Sequence, residues 1–222
     1  MKYRLSVLVT GIALLAAAPA EGQLWFMPDV PVPAMTGSTP ANWIGATYAR
    51  NANDDAVSVD AFGAHFGRTG RVVSFMGSVG LIDDEDDEFM FGAAVGVEMV
   101  REESVAISIQ GGASWFSVDR GVGQNLDFLR FPIGLAIRGW PGSTEDATSV
   151  QPWLMPRLDI SRVSGFEFGD AFTEFDLGVS GGVSFSFREA WGIFTALDYH
   201  PTAGFDPIVF GLGVFFNLGR GR

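Results

Sequence analysis

Apolar and polar residues alternate with period two along "FDLGVSGGVSFSF" (175–187), and the polar side of the alternation is made of unusually small residues. Phe175, Leu177, Val179, Val183, Phe185 and Phe187 share one face, while Asp176, Gly178, Ser180, Gly182, Ser184 and Ser186 share the other. Successive side chains point to opposite faces only in an extended strand, so the segment is a strand and not a helix. The same pattern recurs in "VAISIQGGASWF" (105–116), "FLRFPIGLAIR" (128–138) and "VFGLGVFFNL" (209–218). A sheet face exposed to water normally carries long side chains such as Lys, Glu, Arg and Gln. A face of Gly, Ala and Ser suits a wall that curves inward around a narrow lumen. The bulky face is then the outside, and its natural contact is lipid.

The connections between strands agree with this. Strand signals fall at 41–50, 56–66, 72–82, 89–101, 104–118, 127–139, 151–161, 174–187, 190–200 and 207–218, and no segment of useful length has helical period. Each is long enough to cross a bilayer when tilted. The odd-numbered connections are mostly longer, acidic or glycine-rich, such as "NANDDA" and "DDEDDE". The even-numbered ones are mostly tight, such as "GRTG" and "REA", with "WPGSTEDATS" the exception. Short turns at one end and longer loops at the other mark an up-and-down barrel with both termini on the short-turn side. The expected fold class is all-β: a closed up-and-down antiparallel transmembrane β-barrel of about ten strands, with eight as the alternative.

The N-terminus supplies a route to a membrane. Lys2 and Arg4 precede the apolar stretch "LSVLVTGIALLAA" and the small-x-small "APA" ending at Ala20. This is the pattern of a cleaved export signal, and the run is too short for a membrane anchor. Residues 21–40 carry four prolines and little alternation, so they form a proline-rich segment and not a central strand. The expected organisation is a signal peptide over 1–20, the proline-rich segment over 21–40, the barrel over 41–219 and a tail over 220–222. No cysteine is present, which excludes disulfides and thiolate chemistry. The net charge of -12 excludes an electrostatic footprint for nucleic acid.

In its strand pattern the chain resembles small bacterial outer-membrane β-barrels, the outer membrane protein A-like and porin-family barrel domains. The likeness covers about residues 41–218. Its last strand, "IVFGLGVFFNL", is similar to the glycine-spaced, aromatic-ended strand read by the insertion machinery, although here "GRGR" follows. The resemblance implies export to the outer membrane of a Gram-negative cell. It implies outer-membrane lipid, lipopolysaccharide and the barrel-assembly machinery as partners of a monomer.

Several residues carry candidate chemistry. The register places Arg130, Arg138, Arg157, Asp60, Glu98, Asp159, Asp176 and Asp198 in the lumen, as a selectivity ring or as paired ions filling it. Buried charges must be paired, and small barrels are usually packed inside, so the paired network is the expected form. Phe62, Phe66, Phe116, Phe128, Phe194 and Phe215 are placed inward with them. Trp43, Trp115, Trp140, Trp153, Trp191 and Tyr199 are expected at the membrane boundaries, where aromatic rings with a polar edge collect. Trp43, Trp140, Trp153 and Trp191 fall at the short-turn end. The facing of Trp43 is left open, and Trp153 reads as inward. The carboxylates from Asp83 to Glu88 lack the glycine and ligand spacing of a calcium loop and read as a solvated outer loop.

"DYHPTAG" (198–204) resembles the His-x-Ser stretch of lipid A deacylase barrels, with Thr202 in the serine's place. Asp198 or Asp206 would orient His200. The missing serine argues against catalysis, and two distant histidines give no metal site. No catalytic residue, cofactor or metal is therefore expected. The function expected is that of a non-enzymatic outer-membrane barrel, structural or forming a narrow pore for small solutes. The alternatives are a barrel enzyme acting on lipid A or phospholipid, and a secreted soluble β-barrel binding a hydrophobic ligand. Substitutions on the small-residue face, Gly182→Ser and Ser108→Thr, are expected to be tolerated, and Ile133→Arg or Val183→Arg on the bulky face is not.

Overall fold

The computed structural model describes residues 41–51, 60–83, 88–119, 125–139, 148–165, 171–187, 190–199 and 208–220. They form ten strands: β1 (Ala41–Asn51), β2 (Asp60–Thr69), β3 (Val73–Asp83), β4 (Glu88–Arg101), β5 (Val105–Asp119), β6 (Asn125–Gly139), β7 (Thr148–Ser164), β8 (Phe172–Phe187), β9 (Trp191–Tyr199) and β10 (Ile208–Arg220). Each pairs antiparallel with its sequence neighbours, and β1 pairs with β10, so the sheet is a closed barrel. Closure removes both edge strands and satisfies the backbone ladder all round. The strands run from 9 residues in β9 to 17 in β7, all long enough to cross a bilayer.

Both described ends of the chain lie at one rim, because Ala41 pairs with Arg220 and with Thr69. This near rim carries the β2–β3 and β4–β5 turns and the adjoining ends of β8 and β9, and the far rim carries the Asp83 end of β3 and the Glu88 end of β4. β4 bulges between Glu98 and Val100 at the near rim, where the Glu98 amide donates to the Val72 carbonyl at 2.8 Å.

The two faces differ as the alternation requires. Outward positions are exposed and apolar on every strand, as at Val79, Phe91, Ile109, Ile133, Leu154, Leu177, Leu197 and Leu212. Inward positions are buried and close-packed. Four of the large aromatics in the lumen each lie on a glycine of a neighbouring strand. A Cβ on Gly67 would meet the Trp43 ring at 2.6 Å, one on Gly182 the Trp153 ring at 2.9 Å, one on Gly192 Phe215 at 2.3 Å and one on Gly213 Phe194 at 2.3 Å. The glycines therefore do more than let the wall curve, because each is the floor of an aromatic seat. Gly182 also faces the Thr195 carbonyl oxygen, which a Cβ would approach to 1.9 Å. The expected tolerance of Gly182→Ser is overturned by that backbone contact.

β2 faces the other way from the sequence reading. Ala61, His65, Gly67 and Thr69 point inward, and Phe62 and Phe66 are 50% and 60% exposed on the outer surface. Phe66 covers Gly77 of β3, where a Cβ would come within 2.7 Å of its ring. Both faces of this strand carry apolar residues, so its own alternation does not fix which is outside. The other placed phenylalanines, Phe116, Phe128, Phe194 and Phe215, do point inward, with Phe116 and Phe128 stacked at 4.6 Å between centroids.

Candidate functional site

The lumen contains a compact ion network contributed by β6 to β9. Arg157 leaves β7 between two glycines, Gly134 of β6 and Gly178 of β8. A Cβ at Gly178 would stand 3.0 Å from the Arg157 guanidinium carbon and 2.9 Å from Asp159 Oδ2. This gap lets the side chain lie along the wall. Arg157 Nε donates to Asp159 Oδ2 at 2.9 Å, and its two Nη atoms donate to Asp198 Oδ1 and Oδ2 at 2.6 and 2.8 Å. Nη1 also reaches the Ser180 hydroxyl, which donates to Asp198 Oδ1 at 2.8 Å. Arg130 of β6 joins from the side, with Nη2 at 2.9 Å from Asp159 Oδ2. Asp176 is buried beside them, directly opposite Asp159 in the β7–β8 ladder.

The side chains of Arg157, Asp159 and Asp198 have no exposed surface. Charges so buried are stable only when paired and hydrogen-bonded, and the planar fork of arginine meets a carboxylate in two parallel bonds. The network therefore cross-links four adjacent strands, β6 to β9, on the inner side of the wall. Asp198, the candidate acid beside His200, has both carboxylate oxygens on Arg157. His200, Thr202 and Asp206 lie outside the described residues. Among the described residues no group of three or more His, Asp or Glu is placed to hold a metal ion.

A second polar group sits at the near rim. Glu98 receives two bonds from Arg101, at 2.6 and 2.7 Å, and stands 3.9 Å from Arg138 Nη2. Arg138 in turn donates to the Ser108 hydroxyl at 3.3 Å. These side chains line a cavity of about 10 Å³ together with Thr69, Val72 and Gln110, room for the centre of one water. A third, smaller contact lies between β1 and β2, where Thr47 Oγ1 and His65 Nε2 are 2.7 Å apart in the buried interior.

The residues placed in the lumen by sequence thus divide into two groups and one outlier. Arg130, Arg157, Asp159, Asp176 and Asp198 come together, and Glu98 and Arg138 form the near-rim group. Asp60 does not face the lumen. It lies on the outward face of β2, where it accepts a bond from the Tyr48 hydroxyl at 2.8 Å and stands 3.8 Å from Arg50. The cause is the reversed facing of β2. Ser180, Thr47, His65 and the glycines 134 and 178 were missed. Gly178 and Ser180 stand two and four positions from Asp176 on its small-residue face, but their match to Arg157 depends on the β7–β8 register.

Among the boundary aromatics, Trp115 and Trp191 are outward and lie near opposite rims. Trp115 stacks on Phe91 at 5.9 Å and Trp191 on Phe187 at 4.4 Å. Tyr199 is outward and half-buried at the far rim, opposite Ile208. Trp43 is 1% exposed and Trp153 is 7% exposed, and both fill the lumen on their glycine seats. Neither joins an outer belt. Trp140 lies outside the described residues. Of the acidic run, Asp83 is exposed at the end of β3, Glu88 is buried at the start of β4, and the four residues between lie outside the described residues.

No family model matches the chain, and no curated protein matches it. Solved structures similar to it include the translocator domain of the autotransporter NalP from Neisseria meningitidis. That domain is 9% identical, with 81% of this chain and 89% of that chain covered and a TM-score of 0.49. The N-terminal β-barrel domain of Pseudomonas aeruginosa OprF is 12% identical over 81% of this chain and 99% of that one, with a TM-score of 0.37. Ail, the attachment invasion locus protein of Yersinia pestis, is 12% identical over 81% and 97%, with a TM-score of 0.44.

Proposed function

We propose that the chain is a non-enzymatic barrel of a Gram-negative outer membrane, exported by its N-terminal signal, with the near rim in the periplasm and the acidic hairpin at the cell surface. The observation that carries this is the outward face. Large apolar side chains stand exposed on all ten strands, with charged residues such as Arg50, Asp60, Asp83 and Arg162 at the strand ends. A soluble protein rarely exposes a continuous apolar patch of more than a few hundred Å². A ring of this kind has lipid as its solvent. Outer-membrane lipid and lipopolysaccharide are then its contacts, and the barrel-assembly machinery inserts it.

Within that reading, a structural barrel is favoured over a pore by the filled lumen. Trp43, Trp153, Phe194 and Phe215 occupy the lumen, and the Arg157 network fills its β6–β9 side. The purified protein should need detergent to stay in solution and should shift in gel mobility on heating. Recovery from the soluble periplasm without detergent would refute the membrane reading. In planar bilayers the folded protein should give no steady conductance, and stepwise open currents would restore the pore.

A further inference from the structure

Charged side chains on a lipid-facing wall are tolerated at the level of the headgroups and costly below it. On the outward face of the far half, the charged side chains described are Arg50, Asp60, Asp83, Asp127 and Arg162. They fall in two patches. Arg50 of β1, Asp60 of β2 and Asp83 of β3 lie side by side across two ladders. Arg162 of β7 lies opposite Leu129 of β6 and Thr173 of β8, and Asp127 is two residues beyond Leu129.

Both patches stand just above a layer of rings and apolar side chains. Tyr48 and Phe62, with ring centroids 5.3 Å apart, are two residues nearer the near rim than Arg50 and Asp60, about 5 Å lower on a tilted strand. Ile160 and Phe175 lie in the same way below Arg162 and Thr173. Headgroups begin at the height of such a ring layer. The Arg50 side chain is 54% exposed and its Nε is 3.8 Å from Asp60 Oδ1, beyond hydrogen-bond reach, so its donors remain available to a ligand. Arg162 is exposed and has no ion pair among the described residues. Asp60 and Asp83 are directly opposite each other on one face, so their charges repel unless a cation lies between them. Carboxylate oxygens suit a hard divalent ion, and two of them leave places on it for phosphate oxygens and water.

We propose that these patches bind the phosphorylated headgroup of lipopolysaccharide, with Arg50 and Arg162 donating to its phosphates and Asp60 and Asp83 sharing a divalent cation that bridges to one of them. Guanidinium and phosphate meet in two parallel charge-assisted bonds. With one guanidinium against two carboxylates, the β1–β3 patch attracts a phosphate only together with the cation. The fit holds only if the far rim faces the cell surface, as proposed for the barrel. Arg68 is the contrasting case at the near rim: it is outward, but its ladder partners are Asn42 and Phe75, so no carboxylate stands opposite it to hold a cation.

Native mass spectrometry of the full-length folded protein in detergent tests this, with bisphosphorylated lipid A, dephosphorylated lipid A and phosphatidylglycerol as probes in the presence of magnesium. Bisphosphorylated lipid A should be retained several-fold more than either of the others, and EDTA should remove most of that preference. Arg50→Gln combined with Arg162→Gln should lower its retention several-fold. Asp83→Asn should weaken the dependence on magnesium, and Arg68→Gln should change neither. Heat-shifted mobility confirms that each variant is folded. Equal retention of phosphorylated and dephosphorylated lipid A would overturn the proposal. Phosphatidylglycerol retained as well as lipid A would mean a general anionic-lipid surface and overturns it too, as does an effect of Arg68→Gln as large as that of the far-rim pair. A protein that stays in solution without detergent defeats the membrane reading itself, whereas a heat-shifting barrel with no preference for the phosphates defeats this inference alone.

Discussion

Replacing Arg157 by methionine tests the interior network most sharply. The substitution keeps a long side chain in the slot between Gly134 and Gly178 and removes the charge. Asp198 loses its two bonds of 2.6 and 2.8 Å, and Asp159 loses the bond at 2.9 Å. Both carboxylates have no exposed surface, so water cannot replace the guanidinium without opening the wall. Removing one partner of a buried ion pair typically costs about 3–5 kcal/mol. Arg130 still holds Asp159 at 2.9 Å, which puts the expected loss near the lower bound, about 3 kcal/mol. That is a hundredfold or more in the folded-to-unfolded ratio, at about 1.4 kcal/mol per tenfold. The measurement is urea unfolding in phospholipid vesicles, followed by tryptophan fluorescence and heat-shifted mobility. Arg157→Met combined with Asp198→Asn removes one charge of each sign, so the pair should be less destabilised than the sum of the two single variants, by about 1 kcal/mol or more. A single variant within about 0.5 kcal/mol of the parent, the range of ordinary surface substitutions, would refute the reasoning, as would strict additivity of the pair.

Three further outcomes are expected. Ile133→Arg, at an outward position near mid-strand, should cost roughly 2–4 kcal/mol and lower the folded fraction, whereas Ser108→Thr in the interior should leave it unchanged by the same gel assay. Gly192→Ala should impair folding because its Cβ would meet the Phe215 ring at 2.3 Å, while Gly96→Ala, with nothing closer than 3.9 Å, should be tolerated; equal yields for the two would dismiss the aromatic seats. In single-tryptophan variants with brominated lipid, Trp115 and Trp191 should report shallow depths in opposite leaflets, and Trp43 and Trp153 should be quenched weakly because the wall separates them from lipid. A mid-bilayer depth for Trp115 or Trp191 would overturn the topology.

How much of this was legible beforehand varies from strand to strand. In β8 and β10 one face is large and apolar and the other small, so alternation alone fixes which side is outside. The strand character, the up-and-down order and the inward placement of Arg130, Arg138, Arg157, Asp159, Asp176 and Asp198 all rest on that contrast. In β2 the contrast fails. Phe62 and Phe66 stand on one face and Ala61, His65 and Thr69 on the other, and either could be turned inward on composition alone. Its facing was settled by neighbours on β1 and β3, with Thr47 beside His65 and Gly77 beneath Phe66, and Asp60 followed it to the outer surface.

The closed ring of ten chosen over eight came from the structure, while the sequence by itself determined the period of the side chains, and with it the strand character and the contrast between a greasy face and a small-residue face. These are local properties, since each Cβ direction is set by the residue's own backbone. Only the tertiary structure decided which tryptophans belong to the lumen, which glycines seat them, and how the charges divide into a central network and a near-rim group. Those outcomes depend on which residue lies opposite which across a ladder, and a one-residue slip of register changes every such pair. Trp43 and Trp191 are both tryptophans near the same rim; Trp43 turns inward onto Gly67, and Trp191 turns outward onto Phe187.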